Sequence, residues 1–186
     1  MVTTGEERAQ LCLNILGGFN ATLNGEPLSH FYSDKVRALF AYLAMAGQTP
    51  IRREILAARL WPRYIPHSQR VNLRRAIYEL KRNTAPFPLL VTTHQTISLS
   101  KEALQGGLIC DARALGEKGE DRERDLAAGS LKGIQNDVKN LQQASRQSLC
   151  NGLSVMDDGA DGFGEWCDEP MTALRERVEV LVSRVE

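Results

Sequence analysis

The 186-residue sequence lacks the features that mark membrane, secreted and metal-binding proteins. It has no run of 18 or more apolar residues and no basic segment followed by an apolar one at its start, so we expect neither a membrane span nor a signal peptide. The four cysteines are scattered, with no CxxC pair and no close histidine partner, which argues against a zinc site or a redox motif. We therefore expect a cytoplasmic protein whose thiols are free and mostly buried.

Patterns of catalysis are also missing from the sequence. Gly17-Gly18 is not followed by the GxGxxG or GK[ST] pattern of a phosphate loop. The sequence has no Ser–His–Asp context and no cluster of carboxylates with a histidine. The stretch from Asp157 to Asp168 imitates a calcium loop, but Gly159 replaces a ligand, so a plain interhelical loop is preferred. We expect no enzyme activity, no cofactor and no bound metal.

The net charge is zero, but the charges are segregated along the chain. Residues 33–100 contain 11 Lys and Arg against 3 Asp and Glu, a local charge of +8, so the remainder carries −8. This separation is typical of a module that faces a polyanion joined to an acidic module.

The most informative stretch extends from His67 to Arg82, with the sequence HSQRVNLRRAIYELKR. Helical periodicity of about 100° per residue predicts one amphipathic helix here. Its apolar positions fall on one side: Leu73, Ala76, Ile77 and Leu80. The other side is cationic, with Glu79 as the sole acid of the stretch, and arginine suits both phosphates and guanine edges. We predict a DNA-binding helix, and the competing interpretation is a basic surface helix without a nucleic-acid partner.

The flanking segments predict the rest of an N-terminal α+β domain. Alternating apolar residues from Leu11, with an Asn24-Gly25 turn, predict a small antiparallel sheet. Two helices should follow, one capped by Ser33 and ended by Gly47, the other over residues 52–61 before Pro62. Beyond the central helix, two short strands are predicted over residues 89–92 and 96–99 around a His94-Gln95 turn. Three helices followed by a hairpin are typical of a winged helix.

From Lys101 onward the composition changes, and we predict a domain boundary there. LQGGL is loop-like, Asp111 is suited to cap a short helix, and residues 117–125 form a charged solvated run. Two apolar stripes at helical spacing follow. The first comprises Leu131, Ile134, Val138, Leu141, Ser145 and Leu149, and the second comprises Met171, Leu174, Val178, Leu181, Val182 and Val185. We expect the second stripe to remain uncovered and to support self-association.

Four sequence segments, in this order and spacing, resemble the Streptomyces antibiotic regulatory protein family. They are LNILGGFNATLNGEPL, KVRALFAYLAMAG, REILAARLWP and VNLRRAIYELKR. The resemblance implies a response-regulator-type winged helix over residues 11–100, after a disordered start at 1–10. The segment ASRQSLCNGLSVMDDGADGFGEWCDEPMTALRERVEVL resembles the family's bacterial transcriptional activator domain. This implies tetratricopeptide-like helical hairpins over 101–186, of which only the first are present.

The resemblance implies a transcriptional regulator, more specifically an activator, whose third helix enters the major groove. The predicted DNA-binding residues are Arg70, Val71, Asn72, Arg74, Arg75, Tyr78, Lys81 and Arg82. The implied partners are double-stranded DNA, RNA polymerase and a second copy of the chain on DNA, with no membrane. The chain departs from the family where Arg52 replaces the usual capping Ser or Thr and where the hairpin lacks a glycine and an aromatic residue. The alternative is a protein-interaction or sensory module whose winged helix does not bind DNA.

Overall fold

The computed structural model describes residues 9–127, 134–153 and 161–185, and these ranges form a mixed α and β structure. Most of the start predicted to be disordered, 1–10, lies outside them. The strands are β1 (Leu11–Asn14), β2 (Asn20–Leu23), β3 (Glu26–Pro27), β4 (Ile51–Arg52), β5 (Leu90–Thr92), β6 (Thr96–Leu99) and β7 (Leu108–Cys110). The helices are α1 (Asp34–Ala46), α2 (Arg53–Leu60), α3 (Pro66–Asn83), α4 (Asp111–Ala127), α5 (Ile134–Ser145) and α6 (Asp161–Val185).

The predicted N-terminal antiparallel sheet is present and is formed by β1, β2 and β3. Leu11 lies opposite Leu23, and Leu13 lies opposite Ala21. Side chains alternate across a strand, so β1 directs Leu11 and Leu13 into the core, where both are fully buried. Asn24 adopts a positive φ of 52°, as the predicted turn requires.

Helices α1 and α2 lie where the sequence predicted them. Ser33 occupies the position before α1, but its side chain makes no capping hydrogen bond, so the predicted cap is not formed. Gly47 ends that helix with a φ of 59°, in the left-handed region that glycine tolerates. Helix α1 has 13 residues, and the seven consecutive residues 38–44 are all buried. They are buried because α1 packs between strands and the other helices. Helix α2 ends at Trp61, just before Pro62.

The two predicted strands after α3 form a hairpin that belongs to a three-stranded sheet. Leu90 pairs with Leu99 and Thr92 with Ile97, while Ile51 of β4 pairs with Ile97 from the other side. Strand β4 immediately precedes α2, so this sheet connects the start of α2 to the hairpin.

The segment predicted as loop-like, residues 104–108, is irregular up to Gly107, and a strand that the sequence did not predict begins at Leu108. An irregular turn over Ala103–Gly107 leads into β7, which runs parallel to β1 and extends the first sheet to the order β3-β2-β1-β7. Leu108 pairs with Leu11 and Cys110 with Leu13. The boundary predicted at Lys101 stays a prediction, although a strand beyond it shares a sheet with the segment before it.

The short helix and charged run predicted after Asp111 are a single 17-residue helix, α4. Asp111 accepts hydrogen bonds from the backbone amides of Ile15 and Leu16, at 2.9 and 3.1 Å, and so fixes the helix start to the end of β1. The charges of this run pair along the helix, as between Arg124 and Asp121 at 3.0 Å, and with α6, as between Arg177 and Glu120 at 3.5 Å.

Helix α5 ends at Ser145, earlier than the first predicted stripe. Leu131 lies outside the described residues, while Val138, Leu141 and Ser145 are buried as expected. Leu149 is buried too, but it lies beyond the helix and bridges to Leu16.

Helix α6 begins at Asp161, so residues 161–168 are helical rather than part of the predicted interhelical loop. Residues 157–160 of that loop lie outside the described ranges. The second stripe is not left uncovered, because Met171, Leu174, Val178 and Leu181 are buried where α6 packs on α4 and α5. Val182 of the same stripe is half-buried, and self-association through this helix stays a prediction.

The cysteines are free, as predicted, and Cys110, Cys150 and Cys167 are buried. Burial raises the pKa of Cys110 to about 11. A hydrogen bond with Cys150, together with burial, raises the pKa of Cys167. Since the thiolate is the reactive form, the raised pKa values of Cys110 and Cys167 disfavour reaction of these two thiols at neutral pH.

None of the helices within the described ranges is long and apolar enough to cross a membrane.

Candidate nucleic-acid interface

Helix α3 is one residue longer at each end than the sequence predicted. Pro66 lies in the first turn of the helix, where backbone amides have no partner within the helix. Because proline has no amide hydrogen, nothing is lost by placing it there, and it favours the start of a helix. Thr84 ends the helix by donating its hydroxyl to the carbonyl of Leu80 at 3.0 Å. The four predicted apolar positions are all buried against α1 and α2: Leu73, Ala76, Ile77 and Leu80.

The predicted DNA-binding residues lie on the rest of the α3 surface. Six of them are exposed: Arg70, Arg74, Arg75, Tyr78, Lys81 and Arg82. Val71 and Asn72 are half-buried. At 100° per residue, Arg75 and Arg82 point directly away from the buried side, and Tyr78, 68% exposed, lies next to them. The structure thus brings these residues together on one helix.

The two flanks of this surface differ in charge and in contacts. One flank contains Arg70, Arg74 and Lys81, and Lys81 donates a hydrogen bond of 3.2 Å to the Thr92 hydroxyl at the end of β5. The basic flank of α3 therefore faces the hairpin.

The other flank of α3 contacts the segment before α1. The Glu79 carboxylate accepts a hydrogen bond from the Tyr32 amide, and the Asn83 side chain donates to the His30 carbonyl at 2.9 Å. The sole acid of the helix is thus engaged in holding a neighbouring segment. Tyr32 itself is 90% exposed beside α3, and no periodicity in the sequence indicated this position.

The turn of the hairpin is held by hydrogen bonds to Thr93 and to Arg53. Thr93 accepts hydrogen bonds through its hydroxyl from the Gln95 and Thr96 amides, at 3.2 and 2.8 Å. Arg53 of α2 fixes the same turn, since its amide donates to the Gln95 carbonyl at 2.9 Å and its guanidinium to the Thr93 carbonyl at 3.0 Å. The turn is therefore attached to the start of α2.

A cleft of about 400 Å³ opens where α2, α3 and this turn meet. Four arginines line it, and we call it the arginine cleft: Arg52, Arg53, Arg70 and Arg74. Glu54 and His94 complete the charged or titratable lining. Arg52 and Arg53 were noted in the sequence only as basic residues, because periodicity within one helix gives no information on a cleft between three elements.

Helix α6 also packs on α1 and α2. The ring of Trp166 on α6 stacks on Tyr42 of α1 with centroids 4.4 Å apart, and Arg59 of α2 donates to the Tyr42 hydroxyl at 2.9 Å. Burial raises the pKa of Tyr42, and the positive charge of Arg59 opposes this shift. These contacts fix α6 to the same helices that support α3.

No cluster of three or more His, Cys, Asp or Glu side chains with metal-binding geometry occurs among the described residues. His94 lies in the arginine cleft, where the positive charges of its neighbours disfavour a metal cation.

Comparison with known proteins gives a likeness in fold. No family model matches the chain, and no curated protein matches it. Among solved structures, Mycobacterium tuberculosis EmbR in complex with a low-affinity phosphopeptide is similar, with a TM-score of 0.63 and 21% sequence identity. The match covers 93% of this chain and 44% of the EmbR chain, so the chain spans less than half of that protein. The mixed α and β architecture expected from the sequence is therefore an EmbR-like fold.

Proposed function

We propose that the chain is a DNA-binding transcriptional regulator whose helix α3 enters the major groove. The observation that supports this most directly is the surface of α3, where five cationic side chains surround an exposed tyrosine and the one acid contacts a neighbouring segment. Like charges at this density repel one another unless a polyanion is bound. Arginine contacts both phosphates and the paired acceptors of guanine, which favours DNA over other polyanions.

The proposed arrangement is a winged helix. Helices α1 and α2 support α3 from the rear, and the β5–β6 hairpin forms a wing beside its basic flank. The EmbR-like fold supports a regulator of the Streptomyces antibiotic regulatory protein type at this coarse level. Helices α4, α5 and α6 form the tetratricopeptide-like part in this proposal. We propose no catalytic role, no cofactor and a cytoplasmic location.

The partners proposed are double-stranded DNA, RNA polymerase and a second copy of the chain on adjacent half-sites. Base contacts are assigned to the α3 residues most directly opposed to the core, Arg75, Tyr78 and Arg82, with Val71 beside them. Arg70, Asn72, Arg74 and Lys81 lie on the flanks and are assigned to the sugar–phosphate backbone.

A protein-interaction module is the second candidate, and one observation favours it. Three apolar side chains on α2 and the turn after it are exposed: Ile55 at 45%, Tyr64 at 54% and Ile65 at 69%. An exposed apolar patch is typical of a protein contact where such residues are contiguous. In this alternative the basic surface of α3 has no nucleic-acid partner.

The salt dependence of duplex binding separates the two functions. If several α3 cations neutralise phosphates, the logarithm of the affinity should fall with the logarithm of the salt concentration, at about −0.9 per phosphate contacted. The measurement is fluorescence anisotropy of a labelled duplex over a salt series, with an uncharged peptide nucleic-acid duplex of the same sequence as control. Absence of binding at low salt, or an affinity independent of salt, would contradict DNA binding and favour the protein-interaction module.

A further inference from the structure

The arginine cleft has more positive charge than its own acid can neutralise. Its lining includes four guanidinium groups and one carboxylate, Glu54. Glu54 contacts Arg52 at 3.3 Å, but both side chains are more than two-thirds exposed. An ion pair this exposed stabilises the cleft little, so the repulsion among the arginines remains.

The four arginines differ in what already holds them. Arg53 uses its amide and its guanidinium to fix the hairpin turn. Neither Arg70 nor Arg74 forms an ion pair or a side-chain hydrogen bond with any residue that the structure describes. Arg53 is therefore a positioning residue, while Arg70 and Arg74 keep their donors available for a ligand in the cleft.

Arg52 occupies a position that does not suit it. It is the residue before the first turn of α2, with extended backbone angles of φ −65° and ψ 130°, and its side chain makes no capping hydrogen bond. Serine, threonine, aspartate and asparagine stabilise this position because they accept a bond from the free amides of the first turn. A cation here is also repelled by the positive end of the helix dipole. Residues that break such a local rule are found where function requires them.

We propose that Arg52, Arg70 and Arg74 together bind one phosphate group of a DNA backbone in the arginine cleft, and that Arg52 does so at a cost in the stability of α2. This inference rests on the proposed function. Guanidinium groups form paired hydrogen bonds to phosphate oxygens, and three of them, one from the end of β4 and two from α3, would fix the rotation of α3 relative to the backbone. The cleft thus determines register and is independent of base sequence.

The test uses the full chain with Arg52→Ser, which removes the cation and supplies a cap. We expect its melting midpoint to rise by about 2–4 °C, because a capping serine stabilises a helix start. Duplex affinity at low salt should fall about tenfold, for a duplex selected from a random pool and for its scrambled version alike. The slope of log affinity against log salt should become shallower, by up to about 0.9, which is the contribution of the one phosphate bound in the cleft.

Two further variants separate the cleft from general charge. Arg63→Ser removes one exposed cation just after α2, outside the cleft, and should leave both the melting midpoint and the salt slope close to those of the original chain. Arg52→Lys keeps the cation without a cap, so its melting midpoint should stay unchanged and its salt slope should be retained. If Arg52→Ser leaves affinity and slope unchanged, or if Arg63→Ser lowers them equally, the inference is overturned.

Free inorganic phosphate distinguishes failure of this inference from failure of the proposed function. If the original chain binds no duplex, DNA binding is wrong. In that case, the cleft is an anion site only if two results are obtained. Phosphate must raise the melting midpoint of the original chain above its value in chloride at equal ionic strength, and Arg52→Ser must remove this rise. If neither duplex nor phosphate has an effect, both proposals are overturned. If duplex binds and phosphate alone does not, the cleft requires the phosphate to be part of a DNA backbone, as proposed.

Discussion

Replacing Ile77 by alanine is expected to lower the free energy of unfolding by about 2–5 kcal/mol. Ile77 is 6% exposed and lies on the side of α3 that packs against α1 and α2. Its truncation removes apolar contacts and leaves a cavity that helices fixed on several sides cannot fill. Chemical denaturation at 25 °C measures the change, with an unchanged denaturant slope confirming that the unfolded state is comparable.

Tyr78→Ala is the matched control, since it truncates a larger side chain one residue away on the exposed side of the same helix. Its free energy of unfolding should stay within about 0.5 kcal/mol of the original value. Duplex binding distinguishes the two variants as well. Ile77→Ala should weaken binding to all sequences together, because it loosens the helix as a whole. Equal destabilisation by both variants would show that α3 packs with a different face toward the core.

The orientation of α3 was predictable because its pattern is local. An apolar residue every three or four positions specifies a helix and the side it buries, without knowledge of any partner. The four apolar positions predicted from the pattern, Leu73, Ala76, Ile77 and Leu80, are those buried in the structure. The same reasoning located the first hairpin, because Asn24-Gly25 favours the backbone angles that its turn needs.

Features that depend on distant partners were missed. Strand β7 has three residues, and its partner β1 lies almost 100 positions earlier, so no periodicity within Leu108–Cys110 indicates the pairing. The charged run of α4 is exposed at Glu120, Asp121 and Arg124, as a solvated run should be. Its ion pair with Arg177 was missed, because the pairing is not evident from either position alone. Uncovered apolar surface on α6 was expected for the same reason, since the helices that bury it, α4 and α5, come from earlier in the chain.

In the candidate site, too, local features were predictable and features that need distant partners were not. The outward surface of α3 follows from periodicity, and its assignment to DNA remains a prediction. The arginine cleft needs three elements to meet, and only the fold shows that Arg52 and Arg74 line one space. The fold also shows that the neighbouring arginines Arg74 and Arg75 have different surroundings, since Arg74 lines the cleft and Arg75 points outward. The sequence RVNLRRAIYELKR alone does not show this difference.

Arg75→Ala is expected to reduce discrimination between base pairs, whereas Arg74→Ala is expected to reduce affinity without changing discrimination. Arg75 points directly away from the core side of α3, and Arg74 lines the arginine cleft beside the hairpin. If Arg75 pairs with a guanine, its loss should remove about 1–3 kcal/mol of preference at one base pair, or roughly 5- to 150-fold. Loss of Arg74 should weaken a selected duplex and its scrambled version by the same factor, because a phosphate contact is independent of sequence.

The measurement is the affinity of each variant for duplexes that differ at single base pairs, at one fixed salt concentration, together with a melting curve. Arg75→Lys is the informative control, since lysine keeps the charge but lacks the planar pair of donors that matches guanine. It should lose discrimination at the same base pair as Arg75→Ala while losing less total affinity. Melting midpoints should stay close to that of the original chain in all three variants, because exposed substitutions on α3 cost little stability. If Arg75→Ala weakens every duplex equally, α3 contacts only the DNA backbone, and sequence-specific binding must be assigned to another part of the chain.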